Sequence, residues 1–74
     1  MSTGELQSLI RMANQIAANL QHGAGSEADA ADQVANHMRR FWARSMKIQL
    51  SEYLREDGGE LSPLAREAVA RLDR

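Results

Sequence analysis

Residues 5–22, ELQSLIRMANQIAANLQH, decide the fold class. Leu6, Leu9, Ile10, Ala13, Ile16, Ala17 and Leu20 recur at steps of three and four, so a 3.6-residue helix gathers them into one apolar stripe. Ser2 and Glu5 stand three apart, the spacing of a capping box. Gly23 follows as a stop, because a residue without Cβ enters the left-handed region freely. The pattern predicts a helix over residues 4–22.

Working outward, residues 22–25 read as a short turn. Ser26 is a natural N-cap, with Glu27 and Asp29 at the positive end of the helix dipole. Ala31, Val34, Ala35, Met38, Phe41 and Trp42 make the next stripe and predict a helix over 27–41. Its Ala-rich stretch lets another helix approach closely. Residues 43–45 are ambiguous. Either Ser45 caps a third helix over 45–56, carrying Met46, Leu50, Tyr53 and Leu54, or the second helix runs on with a bend. Asp57-Gly58-Gly59 ends either one. Ser62-Pro63 opens a last helix over 63–72, with Ser as N-cap and Pro at the first helical position, and Leu64, Ala68 and Leu72 on one face. No alternating β-branched run appears anywhere. The expectation is an all-α bundle of three to four helices forming one domain over residues 1–74.

Composition points to a partner. Of 74 residues, 43% are apolar, but 12 of these are Ala and only 20 are large. Chains this short bury a modest fraction of their surface and are often reinforced by disulfides, a metal or another chain. There is no Cys, which removes disulfides and thiolate metal sites and leaves a partner. Lack of Cys, of a leader-like N-terminus and of any run of about 18 apolar residues leads us to expect a cytoplasmic chain with no membrane span. The net charge of −1 argues against a general nucleic-acid binder. The charge is nevertheless uneven: residues 38–47 hold Arg39, Arg40, Arg44 and Lys47 and no acid, between acidic flanks.

Catalytic constellations are scarce. His22 and His37 lie 15 apart, and neither has a second ligand at the i+4 spacing that puts two on one helix face. Glu52, Glu56, Asp57 and Glu60 lack the alternating ligands and twelfth-position Glu of a calcium loop and read as a solvated turn. Gly58-Gly59 lacks the pattern and lysine of a phosphate loop. We therefore assign no catalytic, cofactor or metal residue to this chain.

The stretch His37-Met38-Arg39-Arg40-Phe41-Trp42 sets two aromatics beside a basic quartet. Adjacent helical residues point about 100° apart, so Phe41 and Trp42 cannot both face a small core equally. One reading has both close the bundle while the arginines snorkel. The other makes the stretch a contact surface, since Trp, Tyr and Arg carry much interface energy. Arginines on phosphates beside stacked bases are a third, weaker reading. Arg11, Met12, Asn14, Gln15 and Asn19 add an amide-rich strip on the first helix, where a solvated face usually carries Glu and Lys. Arg11, Asn14, Gln15, Arg39, Arg40, Phe41, Trp42 and Met46 form the candidate partner interface.

Three blocks, Arg11-Met12-Ala13-Asn14-Gln15-Ile16-Ala17, His37-Met38-Arg39-Arg40-Phe41-Trp42 and Leu61-Ser62-Pro63-Leu64-Ala65-Arg66-Glu67-Ala68-Val69, occur in this order. Together they resemble the delta subunit of the soluble NAD-dependent, molybdenum-containing formate dehydrogenase. One departure stands out: the family usually follows Phe-Trp with Asp-Pro, whereas this chain has Ala43-Arg44, so the start of the third helix is open. The resemblance implies an accessory subunit docked on the large catalytic subunit and supporting assembly. In such a complex the larger subunits hold the molybdenum or tungsten pterin cofactor, the iron–sulfur clusters, FMN and the NAD site. The alternatives are a maturation factor for the molybdenum-cofactor enzyme and a small nucleic-acid-binding regulator. Isolated, the chain is expected to self-associate through the face meant for its partner.

Overall fold

The computed structural model describes residues 3–72. They form four helices, α1 Thr3–Gln21, α2 Glu27–Phe41, α3 Arg44–Glu56 and α4 Pro63–Leu72, with no strand among the described residues. The fold is all-α. Ser2 lies outside the described residues, so the capping box proposed for Ser2 and Glu5 does too.

The helix ends follow local chemistry, with two departures from expectation. At the start of α2 the Ser26 Oγ accepts the Asp29 N–H at 3.1 Å, and the Asp29 carboxylate accepts the Gly25 N–H at 3.1 Å. The first bond satisfies one of the donors left open at a helix start, and the second ties the preceding turn to it. Ser62 does the same for α4: its Oγ accepts from Ala65 N–H at 3.2 Å, ahead of Pro63. Gly23, by contrast, does not use a left-handed conformation. Among the described residues only Gly58 has positive φ, at 73°. Instead α1 closes through two turn bonds, Gly23 N–H to the Leu20 carbonyl and Ala24 N–H to that of Gln21.

Ser45 is not a cap either. Extended backbone at Trp42 (ψ 141°) and Ala43 (ψ 152°) breaks the chain between α2 and α3, so the two helices are separate. Ala43 takes the N-cap position, without a side-chain bond, and its carbonyl accepts the N–H groups of Met46 and Lys47. The break comes where it does because Trp42 turns inward. It is 8% exposed and packs in the core, whereas Phe41 is 67% exposed.

The core is one cluster containing Leu9, Ile10, Ala13 and Ala17 of α1, Val34, Ala35 and Met38 of α2, Leu50 of α3, and Leu61, Ala65, Ala68 and Val69 at α4. The apolar face of α4 is thus centred on Ala65, Ala68 and Val69. Leu64 and Leu72, expected on its central line, are half-buried at the margins. Short α4 packs against all three other helices, and most extensively against α2. Ala31 and Ala35 of α2 and Ala65 and Ala68 of α4 are fully buried, and side chains ending at Cβ let helix axes approach closely. The described surface of 4608 Å² is about the 4,500 Å² expected for a compact monomer of this mass.

Candidate partner interface

The last two turns of α2 present the largest exposed aromatic. Phe41 stands off the bundle with the His37 ring 4.9 Å away at 44° and the Arg40 guanidinium 5.5 Å over its face. The spacing explains the cluster: His37 and Phe41 are i, i+4 neighbours on one face, and a guanidinium over an aromatic face is attracted by the ring quadrupole. Leu20 from the end of α1, with Gln33 and Asn36, completes a shallow concavity of about 260 Å³ lined also by His37, Arg40 and Phe41. Trp42, one residue on, is turned away into the core.

The sequence-nominated residues divide into four groups. Arg40 and Phe41 face outward together. Arg39 is also exposed but reaches back: one nitrogen donates to the Asn36 side-chain oxygen at 2.7 Å and another to the Arg71 carbonyl at 2.8 Å, tying α2 to α4. Arg11 and Gln15 are exposed on α1, bonded to Ser8 at 3.3 Å and to Asn19 at 3.2 Å respectively, with Met12 beside them at 43% exposure.

Asn14, Trp42 and Met46 have intramolecular roles. The Asn14 side-chain N–H donates to the Glu60 carbonyl at 2.9 Å, and its oxygen accepts the Ser62 N–H at 2.8 Å. Tyr53 OH accepts the Glu60 N–H at 2.8 Å on the same loop. An amide fits this position because it donates and accepts at once. Part of the amide strip of α1 is thereby explained by the α3–α4 loop. Met46 is half-buried against the core cluster.

Two features were not singled out from sequence. Arg71 donates to Asp32 at 2.6 Å, Glu67 at 3.2 Å and the Ala28 carbonyl at 3.1 Å. Hydrogen bonds to Asp32 and then Glu67 raise its pKa above the usual guanidinium value, so it stays charged. Only the Glu67 pairing, at i, i+4, was legible in one helix; Asp32 is 39 residues away. Ile48 is the second, 43% exposed on α3.

No three His, Asp or Glu side chains gather to hold a metal ion among the described residues, and the chain has no Cys for an iron–sulfur cluster. No helix of the described residues is long and apolar enough to cross a membrane.

The family described as the NADH-dependent formate dehydrogenase delta subunit, FdsD, matches residues 8–69. That is most of the chain, and the chain belongs to this family of formate dehydrogenase subunits. No curated protein and no solved structure matches it.

Proposed function

We propose that this chain is a non-catalytic accessory subunit of a cytoplasmic formate dehydrogenase, docking on the large catalytic subunit through the α2 end and supporting assembly. The observation that carries the reading is Phe41. A large ring two-thirds exposed and framed by His37 and Arg40 has the make-up of an interface anchor. Arg11, Gln15 and Met12 extend the candidate surface on α1. His22 lies exposed in a turn and His37 is half-buried beside Phe41, so neither is set against a base or acid for proton transfer.

The test is co-purification of the tagged chain with the other subunits. Wild type is expected in fixed stoichiometry with active enzyme. Phe41→Ala combined with Arg40→Glu should lose most of that recovery, and unchanged recovery with unchanged activity would overturn the interface. Recovery only with immature enzyme would identify a maturation factor instead.

A further inference from the structure

A second surface lies away from Phe41, where α3 meets the ends of α2 and α4. Arg44, Lys47, Ile48, Ser51 and Arg55 share one broad face of α3, the last four lying three, four, seven and eleven residues after Arg44. With Arg39 and Leu72 they line an open groove of about 320 Å³. Four of its seven lining side chains are cations, and no carboxylate lines it among the described residues. Arg39 bonds only neutral oxygens there, of Asn36 and Arg71. Arg44 and Lys47 have no ion pair among the described residues. Both also sit in the first turn of α3, which holds no acid and whose N-cap supplies no side chain. Cations at the positive end of a helix dipole oppose it. Ile48, 43% exposed, and half-buried Leu72 add apolar wall between the charges.

We infer that this groove receives an acidic segment of another subunit of the complex, carboxylates meeting Arg44, Lys47 and Arg39 and an apolar side chain lying on Ile48 and Leu72. The inference rests on the accessory-subunit reading and specifies a second contact for it. Charge complementarity selects the occupant, since arginine forks pair carboxylates bidentately. A nucleic acid fits less well. Glu52 and Glu56 occupy the neighbouring face of α3, where a duplex along the helix would bring its phosphates, and the chain as a whole is acidic. Nor does backbone readout need the apolar pair.

Lys47 is the only lysine in the chain, which makes the test specific. In the purified, nuclease-treated complex, a carbodiimide joins Lys47 Nζ to a contacting carboxylate as an amide, the elements of water leaving in the urea by-product. Peptide mass analysis is expected to find Lys47 coupled to Asp or Glu of another subunit. In parallel, Arg44→Glu with Lys47→Glu should weaken binding to the other subunits about tenfold or more and flatten its salt dependence. Thermal stability should be kept or raised, because acids suit that helix turn. An intact complex with no Lys47 coupling, coupling only to a second copy of this chain, or an unchanged affinity of the double variant would overturn the groove while leaving the subunit reading standing. Loss of the complex on nuclease treatment would assign the groove to nucleic acid and overturn it likewise. If wild type fails to co-purify at all, the subunit reading falls, and this inference with it.

Discussion

Asn14 is the position where one side chain holds the most architecture. Its amide donates to Glu60 and accepts from Ser62, which fastens the α3–α4 loop to α1 and steadies the cap that starts α4. Asn14→Ala removes both bonds. At about 0.5–1.5 kcal/mol net for each hydrogen bond, the loss is roughly 1–3 kcal/mol. For a chain of this size 1 kcal/mol moves the melting temperature by about 4–8 °C, so a mid-range loss of about 2 kcal/mol lowers it by roughly 8–16 °C. Asn14→Asp is the sharper test. The carboxylate still accepts from Ser62 N–H, but its second oxygen now faces the Glu60 carbonyl where an N–H had donated. Only the protonated acid restores that donor, so the folded state favours protonation and raises the introduced group's pKa. Stability relative to wild type is therefore fullest below the ordinary carboxyl range and is lost as pH rises through the raised value. The assay is far-UV circular dichroism melting of both variants and wild type from acid to neutral pH. Melting of Asn14→Ala within about 2 °C of wild type, or a pH-independent deficit for Asn14→Asp, would refute the clamp.

Three further outcomes follow from the same contacts. Gly58→Ala places a Cβ 3.0 Å from the Leu54 side chain at φ 73° and should cost at least about 1–2 kcal/mol by thermal melting; a neutral result would mean the turn re-forms. Because α3 starts at Ala43 without a side-chain bond, Ala43→Ser should gain about 0.5–2 kcal/mol, whereas Ser45→Ala should be nearly silent; denaturant titration that reversed this order would move the cap back to Ser45. Trp42→Ala should cost roughly 3–5 kcal/mol and Phe41→Ala less than about 0.5 kcal/mol in the isolated chain, so equal melting losses would contradict their opposite placements.

The basic groove and the Phe41 patch use different parts of the same helix end. Arg39 points back to α4 while Arg40 stacks on Phe41, since successive helical residues diverge by about 100°. A chain with few large apolar residues can thus offer two surfaces of different chemistry without exposing its core. The apolar residues exposed on it are scattered, with Met12, Phe41 and Ile48 on three different helices.

Sequence alone determined what depends on neighbours in the chain. The apolar stripes of residues 6–20 and 31–42 specified α1 and α2, and Ser26 and Ser62-Pro63 located two helix starts, because caps and amphipathic faces are set within one or two turns. The basic run 38–47 was visible for the same reason. Tertiary structure decided what depends on partners far along the chain. Only packing chose Trp42 over Phe41 for the core, since both lie near the apolar face and neighbouring helical side chains diverge by about 100°. Only the return of the α3–α4 loop onto α1 turned Asn14 from a surface amide into a clamp, over a separation of 46 to 48 residues. Arg71 found Asp32, and Arg39 and Leu72 joined the α3 cations in one groove, by the same route. These contacts depend on α4 and the loop before it packing against the other three helices, and docking of helices is a property of the assembled faces, not of any single stretch of sequence.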